Sequence, residues 1–342
     1  MATTSSTPQP SQQPLATPQA VAEEQRTPIS LGRESGGILV LLIFIAALIL
    51  TTNDFLTLTN LDNLVRQVAV FAILSVGELF VILTGGIDLS VGSILGLSGG
   101  VTALLLAAGV PIPLAILVGL LIGLVVGLIN GALVSRLGLP PFIATLGMLG
   151  IARGVVLLLT GARTIAPLPD AFDAIANGFI LGLPSLFWIL ILVAVVAAFV
   201  LERTVFGRYV YAVGSNAESA RLSGVPVNYV LLAVYSISGL LAGFAGVLTT
   251  SRLGAGIPTA GTGYELQAIA GAVIGGASLS GAKGRVLGAV LGALIMALLA
   301  NGGNLLGIDP FYLQIAIGLL IILAVYFDHL QGRTTKFLSW GK

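Results

Sequence analysis

Residues Leu83–Ser93 read Leu-Thr-Gly-Gly-Ile-Asp-Leu-Ser-Val-Gly-Ser, with strongly apolar sequence on both sides. An aspartate at a bilayer centre costs roughly 2.5–3.5 kcal/mol. Backbone groups freed by a helix break find no water in hydrocarbon, so such a segment survives only inside protein or beside a wet cavity. The chemistry on offer is that of a gate or a solute path: Gly85 and Gly86 turn the chain, while Asp88, Ser90 and Ser93 supply hydrogen-bonding groups. Asp88 has a plainer alternative role as the N-cap of a helix starting at Val91, with Ser90 as its competitor. Asn130 is a further polar residue in an apolar run, suited either to joining helices or to lining a path.

Glu78, Arg153 and Glu265 are the other ionisable groups in or near apolar segments. Such groups are read as functional by default, and Glu78 with Arg153 is the candidate ion pair. Catalytic chemistry is not indicated. Cysteine is absent, and the one histidine, His329, cannot build a metal cluster or a Ser/His/Asp constellation near the break. Gly276–Gly284 is rich in glycine but lacks the Gly-Lys-[Ser/Thr] of a phosphate loop, because Ala282 and Gly284 flank Lys283. The expectation is a protein without catalytic residues, metal or cofactor of its own.

The elements that would hold these residues follow from composition. Of 342 residues, 56% are hydrophobic and only 8% charged, whereas a soluble chain carries about a quarter charged residues. The net charge of +1 gives no nucleic-acid footprint. A spanning helix needs about 20 apolar residues. Candidates are Gly37–Thr52, Val65–Leu83, Val91–Ala108, Pro113–Ser135, Pro141–Thr160, Pro184–Leu201, Val227–Thr250, Leu266–Leu279, Val286–Leu305 and Phe311–Phe327. The eighth is short and ends at a glycine break, as a half-helix would. The expected fold is therefore all-α: a polytopic membrane protein of about ten helices, some broken or short.

Charge sets the orientation. With the N-terminus inside, Arg26, Arg33, Arg136, Arg203, Arg208, Arg221, Lys283, Arg285, Arg333, Lys336 and Lys342 are cytoplasmic, against Arg163 and Arg252 outside. That split obeys the positive-inside rule and puts both termini in the cytoplasm. The expected organisation is a cytoplasmic tail over 1–35, a transmembrane domain over 36–328 and a cytoplasmic tail over 329–342. Residues 1–35 are rich in Pro, Ser, Thr and Gln and read as disordered rather than as a signal peptide.

The largest cytoplasmic loop is 202–226. Ser215-x-x-Glu218 fits a capping box, Gly224 suits a left-handed stop, and Pro226 prevents continuation. The expectation is one helix of about two turns, too short to stand alone in water and so in need of a docking surface. Two glycine ladders, Gly119, Gly123, Gly127 and Gly131 and then Gly284, Gly288 and Gly292, read as helix-packing faces. A faint repeat sets Gly85-Gly86-Ile87-Asp88-Leu89-Ser90 against Gly275-Gly276-Ala277-Ser278-Leu279-Ser280, and repeated broken helices point to a transporter core.

Four segments in order carry a resemblance: Leu83–Ser93; Leu139–Gly147 with Ile151–Gly154; Gly207–Gly224; and Gly263–Gly281. Beyond residue 35 the chain resembles the permease subunits of bacterial ABC sugar importers of the ribose, xylose, arabinose and galactose type. The resemblance implies the ABC importer permease fold and a homodimer in the lipid of the bacterial inner membrane. It also implies two P-loop ATPase subunits carrying ATP and Mg, and an extracytoplasmic binding protein that delivers a monosaccharide. It makes the loop bearing Gly207, Arg208, Gly214, Ser215, Asn216, Glu218, Ala220, Arg221 and Gly224 the ATPase-coupling segment. An ion-coupled secondary transporter, with Asp88, Glu78 or Glu265 carrying protons, is the alternative; a membrane scaffold would leave Leu83–Ser93 unexplained.

Overall fold

The structure is a computed structural model and describes residues 31–309, 311–323 and 326. The expected tail over 329–342, with His329, lies outside the described residues, as does 1–30 of the N-terminal tail. Residues 31–35 belong to the first helix, α1 (Leu31–Thr51).

Each expected span coincides with a helix. After α1 come α2 (Leu58–Leu83), α3 (Val91–Ala107), α4 (Ile112–Ser135), α5 (Pro141–Thr160), α6 (Asp170–Asn177), α7 (Ser185–Arg203), α8 (Val205–Ser215), α9 (Ala217–Leu222), α10 (Val227–Leu253), α11 (Tyr264–Ile274) and α12 (Val286–Leu305). A further helix, α13, covers Phe311–Leu323. Six of these, α2, α4, α5, α7, α10 and α12, are long and apolar enough to cross a membrane, and α3, α11, α13 and the Leu41–Thr51 part of α1 are shorter apolar helices. Prolines mark several starts: Pro140, Pro169 and Pro184 precede α5, α6 and α7. There the missing N–H costs nothing, since the first turn has no acceptor for it.

Two short elements lie between α5 and α7. Helix α6 is amphipathic and buries Phe172 and Ala176, and a two-residue hairpin pairs β1 (Phe179–Ile180) with β2 (Leu183–Pro184). The N–H of Ala176 donates to the Ser251 hydroxyl and Asn177 Nδ2 to the Arg252 carbonyl, which fastens α6 to the end of α10.

Helix α2 is the centre of the bundle. From Val68 to Leu83 every residue is buried, including Ser75 and Glu78. Outer helices present large apolar side chains instead, such as Leu117 and Leu121 on α4, Leu158 on α5 and Leu192 on α7. In water such faces would aggregate; in a bilayer they are solvated.

Glycines bring the inner helices close. A Cβ on Gly123 would run into the Gly239 carbonyl, one on Gly127 into the Tyr235 carbonyl, and one on Gly131 would come 2.8 Å from the Leu232 carbonyl. Gly119 meets Thr102 and Val247. The first ladder thus seats α4 on α10 and α3. In the second, Gly288 faces Gly275 and Gly292 faces Gly271, seating α12 on α11. Gly284 does not belong to that helix. It precedes α12 with φ +148°, and a Cβ there would stand 2.8 Å from Leu79 Cδ1 of α2.

Candidate functional site

The break after α2 begins with a glycine stop. Thr84 is the C-cap, and Gly85 follows with φ +80°. The Gly85 N–H donates to the Ile82 carbonyl and the Gly86 N–H to the Val81 carbonyl. These two bonds define a Schellman motif and satisfy carbonyls that the helix end would strand. Gly86 has its own constraint, since a Cβ there would collide with the Tyr235 hydroxyl.

From this point the backbone runs through protein, and side chains from several helices serve it. The Asp88 N–H donates to Glu78 Oε1 at 3.0 Å. The Ile87 carbonyl accepts from the Thr145 hydroxyl of α5 at 3.2 Å. Asp88 Oδ1 accepts from the Ser90 N–H at 3.0 Å and the Ser90 hydroxyl at 2.6 Å, while Oδ2 accepts from the Ser238 hydroxyl of α10 at 2.9 Å. Asn130 Nδ2 of α4 donates to Ser90 Oγ at 2.8 Å, and the Ser93 hydroxyl donates to the Ser90 carbonyl at 2.8 Å.

Glu78, Asp88, Ser90, Ser93 and Asn130 are all fully buried. The structure therefore gathers Asp88, Ser90, Ser93 and Asn130 into one cluster that is closed to solvent in this conformation. Gly85 stays exposed and faces the other break instead. Asp88 takes the part of an Asx turn on Ser90, two residues on, rather than a cap on the first turn of α3; Ser90 holds the N-cap position without a side-chain cap bond. Asn130 joins helices through the Ser90 hydroxyl. Tyr235, Ser238 and Thr145 escape a reading by sequence, because each sits in an apolar helix with nothing local to mark it.

The second break repeats the first with a shift of one residue. Gly276 has φ +94°; its N–H donates to the Val273 carbonyl, and the Ala277 N–H donates to the Ala272 carbonyl. By hydrogen bonding, Gly276 and Ala277 match Gly85 and Gly86, whereas letter matching aligns Gly275 with Gly85. The two breaks touch, for the Ala282 N–H donates to the Leu83 carbonyl at 2.9 Å.

Segment 202–226 is an elbow of two helices, not one. Thr204 caps α8, its hydroxyl oxygen accepting from the Gly207 N–H. Ser215 ends α8, and the cap of α9 is Asn216, whose Oδ1 accepts from the Ser219 N–H at 2.8 Å. The capping box centred on Ser215 is therefore displaced by one residue: Asn216 in extended backbone turns the chain, and Ser215 is still helical. Gly224 has φ +84° and closes α9 with another Schellman stop, its N–H bonded to the Arg221 carbonyl and that of Val225 to the Ala220 carbonyl.

One side of the elbow is inside the protein. Gly207, Val210 and Val213 are buried, and Gly214 lies directly against the Leu83 carbonyl and the Ala282 N–H. The Tyr211 hydroxyl donates to the Gly284 carbonyl at 2.9 Å. Burial, with Glu202 nearby, raises that phenol above its ordinary range and keeps it a donor. The other side is open. Arg208, Ser215, Asn216, Glu218, Arg221 and Gly224 are exposed, Ala220 alone of α9 is buried, and Leu222 is 82% exposed. Glu218 and Arg221 pair at 3.6 Å, but both are exposed and the pair contributes little to stability.

Glu78 and Arg153 do not pair. Arg153 Nη1 donates to the Pro258 carbonyl at 2.6 Å and the Ala260 carbonyl at 3.0 Å, so the guanidinium pins the 254–263 loop to α5. Glu265 accepts the Gly263 N–H at 3.1 Å and opens α11.

A family model described as branched-chain amino acid transport system / permease component matches residues 60–325. The chain belongs to this family. The permease is 43% identical over 303 residues to the ribose import permease protein RbsC of Haemophilus influenzae, covering 87% of this chain and 94% of that one. It is 45% identical over 294 residues to RbsC of Bacillus subtilis, covering 85% and 90%. The D-allose transport system permease protein AlsC of Escherichia coli is 42% identical over 285 residues, with 83% and 87% covered. No solved structure matches the chain. The protein is thus a multi-pass membrane permease subunit, and its buried break and elbow are parts of a transport subunit rather than of an enzyme.

Proposed function

We propose that the chain is the membrane-spanning subunit of an ATP-driven importer and forms the translocation path for a monosaccharide. The carrying observation is the near full-length match to permeases named for ribose and D-allose, at 42–45% identity. The family description names amino acids, so family membership alone does not choose the solute; the named relatives favour a sugar.

In this reading ATP and Mg belong to a separate P-loop ATPase subunit, an extracytoplasmic binding protein delivers the solute, and a second copy of the chain completes the path. Both termini and the elbow face the cytoplasm of a bacterial inner membrane. The exposed side of α9, with Leu222 as an apolar anchor beside Glu218 and Arg221, is the docking surface for the ATPase. Movement there tilts α8, and Gly214 bears on the Leu83–Ala282 junction, so one push reaches both breaks. The gate is the cluster of Asp88, Ser90, Ser93 and Asn130, closed in this conformation, with Gly86 packed on Tyr235 beside it and Gly85 at its exposed edge.

The test is purification of the tagged chain from its own membrane, identification of stoichiometric partners by mass spectrometry, and uptake of labelled ribose and D-allose by vesicles. The expected result is a co-purifying ATPase and uptake that stops on ATP depletion but survives an uncoupler. Uptake that collapses with the uncoupler and survives ATP depletion would overturn the reading in favour of ion-coupled transport.

A further inference from the structure

Two carboxyl groups meet inside the bundle with no base to answer them. Glu78 and Asp88 are fully buried. Among the described residues no Lys, Arg or His acts on either. The titratable groups facing Glu78 are Asp88, from the break, and Tyr235, from α10.

Donors are shared unequally between the two acids. Asp88 accepts from the Ser90 N–H, the Ser90 hydroxyl and the Ser238 hydroxyl. Three donors on one carboxyl favour its anionic form. Glu78 Oε1 accepts only the Asp88 N–H, and Glu78 Oε2 has no partner. A second orphan lies close by. The Tyr235 hydroxyl is fully buried and unpartnered, sits where a Cβ on Gly86 would be, and lies within electrostatic reach of both acids.

Buried polar atoms without partners are rare, and two in one place share one explanation here. Like charges sharing a dry site do not both ionise. A proton on Glu78 Oε2 removes one charge. Neither Oε2 nor the Tyr235 hydroxyl has a direct partner, so the link between them runs through one buried water.

We propose that Glu78 is a neutral carboxylic acid whose Oε2 proton is linked to Tyr235 through one buried water, and that this retained proton latches α2 to the Thr84–Ser90 break. The latch has two arms. Glu78 Oε1 holds the Asp88 N–H, and Oε2–H holds α10 through the water and Tyr235. An ionised Glu78 would face the Asp88 carboxylate ten residues on and push the break away from α2. The proton is held, not carried across the membrane, so the inference is independent of how transport is powered.

The experiment is infrared spectroscopy of the purified protein in lipid, in sodium buffer and again with sodium replaced by choline. The expected result is a protonated-carboxyl C=O band in the wild type, lost in Glu78→Gln, kept in Glu265→Gln, and shifted upward in Tyr235→Phe, which removes the partner. No such band in the wild type would overturn the proposal, and that reading needs no variant to fold. A band unmoved in Tyr235→Phe would overturn the assigned partner. A band that appears only without sodium would make the compensating charge an alkali cation and overturn the retained proton. Glu78→Gln keeps a neutral group and the Oε1 acceptor, so its melting temperature should stay close to the parent, whereas Glu78→Leu should lower it.

Discussion

Gly214 is seated against the carbonyl oxygen of Leu83, at the point where that carbonyl accepts the Ala282 N–H. Leu83 ends the most buried helix of the bundle, and Ala282 belongs to the second break. The exposed elbow, the central helix and the second break therefore meet within one residue's width. Only a glycine leaves room there, because the atoms a Cβ would strike are backbone and cannot rotate away.

Gly214→Ala should consequently separate power from transport. Overpacking of this kind costs about 1–3 kcal/mol, enough to tilt α8 off its seat. Vesicle uptake is expected to fall at least about tenfold, the equivalent of 1.4 kcal/mol. ATP hydrolysis by the purified complex is expected to continue. Unchanged uptake at normal membrane levels would show that α8 tolerates displacement and does not transmit it.

Asp88→Leu strips the acceptor from three buried donors, the Ser90 N–H, the Ser90 hydroxyl and the Ser238 hydroxyl. Each stranded donor costs about 1–3 kcal/mol. The variant should show a clearly lower melting temperature in detergent as well as lost uptake. Asp88→Asn keeps one acceptor oxygen and should lie between it and the parent. A wild-type melting temperature for Asp88→Leu would mean that water, not Asp88, serves these donors.

Much of this was legible in the sequence. Apolar run length located ten helical segments, since in a bilayer length and polarity leave few choices. The Gly119–Gly131 ladder marked the face of α4 that meets α10, because spacing of four keeps residues on one side. Partners were harder to see. Glu78 and Arg153 form the obvious pair by charge, yet Arg153 serves carbonyls at Pro258 and Ala260, while Glu78 serves a backbone N–H. Backbone groups are identical at every position, so a side chain that bonds to them leaves no trace in spacing. The same blindness placed the α9 cap on Ser215 instead of Asn216, and it hid the match of Gly276 with Gly85.

Asn60 and Asn301 exchange side-chain hydrogen bonds, at 3.2 Å in one direction and 2.8 Å in the other, and tie the start of α2 to the end of α12. Asn60 Nδ2 also donates to the Phe55 carbonyl. In membrane proteins such bonds average about 0.6 kcal/mol, with a maximum near 1.7. Asn301→Ala should lower stability by about that much, and Asn60→Ala by more, since Phe55 loses its donor as well. The double variant should cost less than the sum. Strict additivity across the cycle would mean that the two amides act independently.

Arg153 grips the 254–263 loop through two carbonyls at once. Gly92, Gly261 and Glu265 crowd the same place, for a Cβ on Gly92 would strike both the Glu265 carboxylate and the Gly261 carbonyl. One nitrogen, Nη1, serves both Pro258 and Ala260, and Nη2 reaches the Gly92 carbonyl at 3.5 Å; a lysine ammonium can replace the first nitrogen but not the second. Arg153→Met should free the loop, and Arg153→Lys should do so partly. The chain has no cysteine, so Ala260→Cys supplies a unique thiol at the half-buried end of that grip. Bonds to a charged group contribute about 1.5–3 kcal/mol each, so thiol modification of Ala260→Cys should run at least about tenfold faster in the Arg153→Met background. Equal rates in the two backgrounds would show that the glycine packing around Gly92 and Gly261 holds the loop without the arginine.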